Sequence, residues 1–440
     1  MRDFIHEQND VPVLDLYDVV VVGGGPSGIA SALSAARRNV RVLLIESYGF
    51  LGGMWTMGMV CPLFDHENKG GICRELVDDI NALGAGVQNG PDIWNFDIEI
   101  MKRLLDQKME KAGIDVMLHT HFAAPVMVGS TIVGVIVENK GGRSAFRSKL
   151  VIDCTGDGDV AFRAGVPCEI GRPEDGKTQP MTLMFRMSNL DYEQDYYTQR
   201  HYEGNELIQM IDEALAKAGI TDYPFNYRRP CVLKLPGHKT ALCQTTHIRN
   251  RLSTDPNDLT AAEIEGRQLV REFFTLLKTY VPEFKNAQLD ATGPHIGIRE
   301  SRRVMGEYLI TIEDIRAHRT FDDGILTPTF WVDVHQIDGI DQNHQNDSEL
   351  SVYYQIPYRC LVPLNVEGLL VAGRCISGTH LAHASYRVTG DCVAMGQAAG
   401  TAAALCLEDG LSPRTLDGKR VVSAMESDGA ICRAQPAPVL

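Results

Sequence analysis

Apolar positions gather into continuous runs near both ends of the chain and into mixed patterns between them. Beyond a polar arm of about fifteen residues, Asp18 introduces the apolar run 19–22. Three glycines follow at 23–25, then small residues at helical spacing over 27–38, then a second run at 40–45 broken only by Arg41. Strands that are apolar on both faces are parallel strands covered by helices, so residues 18–45 read as a strand–helix–strand unit. The spacing predicts helices over 71–83 and 96–112 and a strand over 114–119. From 122 to 149 the pattern alternates, with a turn at Asn139-Lys140-Gly141-Gly142, which predicts a β-meander; 150–154 is again a buried run.

Between about 172 and 356 charges mix in and the periodicity weakens. Helices are expected near 205–218 and 260–279, and strands near 181–187, 239–246 and 329–334. A parallel-type strand at 369–372 and a helix rich in Ala and Gly at 388–407 then restore the opening pattern. This implies an α/β fold with a discontinuous nucleotide-binding domain, 15–171 plus 357–425. A substrate domain of α+β type is inserted at 172–356, and 426–440 form a peripheral tail.

Composition changes this picture little. At 440 residues the chain is long enough for two or three domains, and its formal charge of −15 disfavours nucleic acid and anionic membrane surfaces as partners. Its eleven cysteines are never closer than twelve positions apart, and the opening residues carry no apolar signal region, so reduced thiols in the cytoplasm are expected. The charge-free stretch 19–36 reaches transmembrane length, but its glycines and Pro26 make it a strand, turn and helix instead.

Candidate chemistry starts at the glycines. Gly23, Gly25 and Gly28 satisfy G-x-G-x-x-G between a predicted strand and helix, with Pro26 and Ser27 in the turn. Gly23 makes the tight turn, Gly25 lets backbone approach a pyrophosphate, and Gly28 lets the helix pack on the strand. The helix N-terminus offers N–H groups and a favourable dipole to phosphate. Glu46, followed by Ser47, ends the second strand and can accept both ribose hydroxyls, while repelling a 2′-phosphate. The ligand is therefore adenine-containing, FAD or NAD, and not NADP.

The meander and the late return of the last strand distinguish those two. DVVVVGGGPSGIASA (18–32), LGGMWT (51–56), VIDCTGDGDVA (151–161), IRESRRVMGEYLITIEDI (298–315), IPYRCLVP (356–363) and the long segment 368–405 resemble the FAD-dependent oxidoreductases with the glutathione-reductase-like flavin fold. More narrowly they resemble the branch related to the flavin subunit of heterodisulfide reductase. The resemblance implies a Rossmann-like FAD-binding domain and FAD as cofactor, and nothing in these motifs is specific for a substrate. Two-electron oxidation or reduction of a small polar metabolite with hydride passing at flavin N5 is expected, and the arginine cluster at 299–303 makes that metabolite anionic. The resemblance places Gly52, Gly53 and Thr56 beside the flavin, and Thr155 and Gly156 near the adenine. Gly373, Arg374, Arg387 and Val388 fall around the last turn, and the helix from Val388 points its N-terminus at the N1–C2=O edge. Oxygen or a redox partner is the expected electron acceptor, and self-association is left open. An electron-transfer subunit and a non-redox flavin-scaffold protein are the rival readings.

Other chemistries lack their residues. There is no C-x-x-C dithiol, no clustered cysteine set for an iron–sulfur centre and no hydrolase elbow. Asp153, Asp157 and Asp159 lack the closing glutamate of a calcium loop and read as turn caps. His119 and His121 read as surface residues before a metal pair, and Cys375 as a buried thiol. Substrate chemistry is expected from Arg299 and Arg302, in a basic cluster with Glu300 and Arg303 that suits either anion capture or an interface ion-pair network. The base is expected among His380, His335 and His383, with Asp333 and His335 alternating on a strand and Tyr358 and Arg359 near the same final turn.

Overall fold

The computed structural model describes residues 5, 7–88, 94–190, 206–221, 224–227, 230–237, 239–338 and 352–434. Its main sheet is built around the first strand, Val13–Val22, which runs parallel to Val42–Ile45 on one side and to Gly142–Asp153 on the other. Asp115–Met117 extends the sheet in parallel beyond Val42–Ile45. Val19 to Val22 and Val42 to Ile45 are all buried, as covered parallel strands require.

Strand Gly142–Asp153 changes partner midway. Residues 142–147 pair antiparallel with Thr131–Asn139, which in turn pairs with His121–Val128. Residues 151–153 pair in parallel with Leu369–Val371. The meander and the buried run expected at 150–154 are thus one continuous strand. Burial is mixed over 142–149 and continuous over 150–153, where parallel neighbours come to lie on both sides. The polar arm is shorter than expected, because residues 13–17 already pair with 145–148 on an open edge where alternation is too brief to read.

Helix Pro26–Ala36 packs against helix Thr389–Asp409 at backbone distance. A Cβ on Gly396 would lie 2.1 Å from the carbonyl oxygen of Ser27, and one on Gly400 2.2 Å from that of Ser31. Ser31 Oγ donates to the Gly396 carbonyl, and Ser34 Oγ to that of Gln397, both at 3.0 Å. Small residues in helix Thr389–Asp409 therefore serve helix–helix contact.

A second sheet runs Cys231–Lys234, Ala241–Gln244, Phe185–Ser188, Gln288–Thr292, with every neighbour antiparallel. Helix Pro256–Tyr280 covers it, capped by the Asp255 carboxylate. Leu183, Phe185 and Met187 point into this second core, whereas Met184 between them belongs to the first. Helix Glu206–Lys217 matches the helix expected near 205–218, whose first residue lies outside the described set.

Residues 329–334 form no strand. Their backbone is held by side chains instead: Asp65 accepts from the N–H groups of Thr329 and Phe330, and Ser385 Oγ donates to the Phe330 carbonyl. Among the described residues no helix is long and apolar enough to cross a membrane.

Candidate active site

A cavity of about 460 Å³ runs from the glycine turn at residues 23–28 to the inserted sheet. At the turn, Gly23 has φ +101°, and an added Cβ would lie 2.4 Å from the Cys154 carbonyl oxygen. Gly28 would place one 1.8 Å from the Gly23 carbonyl oxygen. Gly25, by contrast, borders open cavity, where a Cβ would meet only Gly53 Cα at 3.7 Å. Helix Pro26–Ala36 starts there with no side-chain cap, leaving its first donors for a ligand.

Gly23, Gly25, Pro26, Ser27, Glu46, Ser47, Gly53, Thr155, Gly156, Arg374, Arg387 and Val388 all line this cavity. Gly28, Gly52, Thr56 and Gly373 stand behind it. Thr56 Oγ1 donates to the Leu51 carbonyl at 2.7 Å, and a Cβ on Gly52 would strike Thr56. Gly373, with φ +93°, lets the last strand reach Ser27.

Glu46 does more than the sequence indicated. Its Oε2 accepts from Gly24 N at 2.8 Å, and Oε1 accepts from Tyr48 N at 2.9 Å and Ser47 Oγ at 3.0 Å. The carboxylate therefore braces the glycine turn as well as facing the cavity. Asp153 braces the turn after its strand, accepting from Thr155 N and Oγ1 and from Ala161 N. Burial pushes its carboxyl up to about 6.

Orphaned donors surround the far part of the same space. Arg374 Nε, Arg387 Nε and Thr389 Oγ1 are buried without a hydrogen-bond partner among the described residues. Val388 caps helix Thr389–Asp409 with no side-chain bond, so this helix too opens its positive end toward the cavity. An uncapped pair of helix N-termini, unfilled guanidinium N–H groups and a carboxylate beside the glycine turn fit the pyrophosphate, ring edge and ribose of FAD.

The inserted segment supplies the opposite end. Arg299 lines the cavity, and its Nη1 donates to the Pro180 carbonyl and to Thr182 Oγ1, both at 2.7 Å. Among the described residues it has no carboxylate partner. Burial and the neighbouring Arg387 lower its pKa to about 10. Arg387 itself donates to Asp333 Oδ2 at 2.8 Å. Asp333 Oδ2 also meets His335 Nε2 at 3.0 Å, and His335 Nδ1 meets His247 Nε2 at 3.0 Å. Asp333 and His335 thus meet without a strand to align them. A carboxylate can only accept, so His335 Nε2 carries the proton and Nδ1 accepts from His247. Burial and Arg299 lower the pKa of His335 to about 3, and its ring is neutral with both nitrogens engaged.

The other candidates lie outside the cavity lining. His380 Nδ1 contacts Glu300 Oε1 at 2.8 Å, and Glu300 also pairs with Arg303, whose guanidinium donates to the carbonyls of Gly171 and Gly378. This sealed cluster ties the inserted segment to the final turn. Arg302 pairs with Asp159 at 2.8 Å and covers the Phe162 ring. His383 is fully buried, neither nitrogen has a partner among the described residues, and burial drives its pKa well down. Arg359 pairs with Asp323, and Tyr358 donates to the Pro413 carbonyl. All eleven cysteines, Cys375 among them, are free thiols.

Three features escaped sequence reasoning. Lys69, fully buried, sits 2.9 Å from both Asp65 Oδ2 and Asp391 Oδ1, joining the loop after Phe64 to the first turn of helix Thr389–Asp409. An aspartate in the first turn of an Ala/Gly helix with no other charge before Glu408 was its available signal. His247 and the edge-to-face pair of Tyr48 with His295 had none.

A sequence model described as "FAD dependent oxidoreductase" matches residues 18–425. The chain is 26% identical over 207 residues to digeranylgeranylglycerophospholipid reductase 2 of Methanococcoides burtonii, covering 44% of this chain and 50% of that protein. It is 27% identical over 181 residues to glutathione reductase of Schizosaccharomyces pombe, covering 38% and 36%. The chain thus spans about half, or less, of the length of these curated relatives. A triple mutant of a flavin-dependent brominase shares the fold at TM-score 0.51 and 15% identity, over 93% of this chain and 84% of that one.

Proposed function

The chain belongs to the FAD dependent oxidoreductase family and is an FAD-dependent enzyme; from that premise we propose that it acts on a small anionic metabolite bound between the glycine turn and the inserted sheet. When bound, FAD supplies the two-electron chemistry, as hydride exchange at N5. The chain supplies orientation and proton handling. Arg299 holds the anion with a guanidinium that its neutral partners, Pro180 and Thr182, keep fixed. Asp333 receives the proton that leaves with the hydride, and His335 positions Asp333. This moves the base from the histidines to the carboxylate, because His335 has no free nitrogen and His380 is held by Glu300.

The observation that carries the reading is Arg299, a cavity-lining cation paired only with neutral acceptors. Assignment to the branch of the heterodisulfide reductase flavin subunit is part of the same proposal and rests on the motifs at 298–315 and 368–405. So is a cytoplasmic setting, supported by the free thiols.

An anaerobic screen of metabolites for flavin bleaching tests the reading. Compounds that reduce the wild type should carry an anionic group, and Arg299→Gln should slow their reduction of the flavin about ten- to a hundredfold, the effect of a lost charge-assisted hydrogen bond. Equal rates in the variant, or equal rates with neutral analogues, would reject it.

A further inference from the structure

We infer that the substrate is a monoanion with an apolar body, a carboxylate on an aromatic or branched aliphatic skeleton, and neither a polyol nor a multiply charged metabolite. This rests on the anion reading of Arg299.

Charge accounting along the cavity sets the first half. Arg374 pairs with Asp157, Arg387 with Asp333, and Asp159 with Arg302. Glu46 is met by the N–H groups of Gly24 and Tyr48. His335 is neutral at the far end. Arg299 is left as the one lining arginine without a carboxylate among the described residues. The pyrophosphate charge that FAD would bring is met at the two open helix N-termini and by Arg374, so at the far end one negative charge on the substrate balances Arg299. A second would have no counterion among the described residues, at a penalty that such sites avoid.

The walls set the second half. Phe64 and Phe330 pack against each other with ring centroids 5.3 Å apart and planes tilted by 53°, and Met57, Met184 and Leu259 continue the apolar lining, interrupted by Gln244 and Ser253. Sugar hydroxyls placed against these side chains would go unpaired. Paired rings suit a flat or branched hydrocarbon body, and methionines adapt to its outline. Asp333 then remains for the one hydroxyl or amine on the reacting carbon.

The test is titration of the FAD-loaded protein with benzoate, benzyl alcohol, oxalate and inorganic phosphate, followed through the flavin absorption spectrum. Benzoate should bind at least about tenfold tighter than benzyl alcohol and than either polyanion. Arg299→Gln should erase that preference over the alcohol, and Phe330→Ala should weaken benzoate while leaving oxalate unchanged. The wild-type series alone decides if a variant fails to fold. Oxalate or phosphate binding tighter than benzoate, and lost in Arg299→Gln, would overturn the monoanion class while sparing the anion site. Benzyl alcohol binding as tightly as benzoate would overturn both. Absence of any spectral response, with no benzoate retained in equilibrium dialysis, would also overturn the inference.

Discussion

The two ends of the cavity are made of different materials. At the nucleotide end the geometry is set by backbone: Gly23 and Gly28 sit where any Cβ would strike a carbonyl, and carboxylates of Glu46 and Asp153 brace the turns by accepting from main-chain N–H groups. At the end walled by the inserted segment the geometry is set by buried charges on loops. Asp333, Arg387 and Arg299 face one another without a strand to align them, and Asp65, Lys69 and Asp391 pin the loop and helix behind Phe64. Backbone sites tolerate no side chain, whereas charge-built sites tolerate no loss of a partner.

That contrast can be broken first at Lys69. Lys69→Met leaves Asp65 and Asp391 buried without their cation, and removing one partner of such a cluster costs about 3–5 kcal/mol. Denaturant unfolding should show a loss of that size. A loss under about 1 kcal/mol would mean that the three groups are not charged together.

The backbone end is probed by Gly28→Ala and Gly396→Ala. Each adds one methyl against a carbonyl, at 1.8 Å and 2.1 Å respectively, and overpacking of this kind costs about 1–3 kcal/mol or more. Gly28→Ala should also impair FAD retention, because it shifts the turn itself. Gly410→Ala, at φ +67° with open space around it, should cost only the local backbone strain, about 1 kcal/mol, and leave FAD binding intact.

Acid gives the gentlest probe. His335 has a folded pKa of about 3 against an ordinary 6.5, so the unfolded chain binds the extra proton as pH falls below 6.5. Stability should drop by about 1.4 kcal/mol per pH unit for each such histidine. His383 acts in the same direction. Asp153, raised to about 6, acts oppositely, gaining stability as pH falls through that value. Asp391, Asp159 and Asp106 are raised as well, and His66 is lowered with the other two histidines, so the check is differential. Between pH 6.5 and 4 the melting temperature of His335→Asn should fall less, or rise more, than that of wild type. An unchanged slope in His335→Asn would show that this ring is not held neutral by burial.

The same contrast explains what was legible in the sequence. Covered parallel strands and the glycine turn announce themselves locally, because continuous apolar runs and G-x-G-x-x-G are requirements of neighbouring backbone. The return of Leu369–Val371 to residues 151–153 was readable because its apolar run repeats the opening pattern. Side-chain partnerships were not. Nothing near residue 300 says that Arg299 turns into the cavity while Arg302 and Arg303, a few positions on, face Asp159 and Glu300. The loop 329–334 has strand-like composition, yet its hydrogen bonds go to Asp65 and Ser385, far off in sequence. His380 looked free because Glu300, eighty positions away, was invisible as its partner.

Whether the two ends are separate in function is decided most directly by titrating apoprotein with FAD in Glu46→Ala and Arg299→Gln. Loss of the Glu46 carboxylate removes a ribose acceptor and loosens the turn at Gly24, so FAD affinity should fall about ten- to a hundredfold. Arg299→Gln should keep FAD affinity within about twofold of wild type, a difference well under 1 kcal/mol. A loss in Arg299→Gln as large as that in Glu46→Ala would place the arginine on the flavin and contradict its assignment to the substrate.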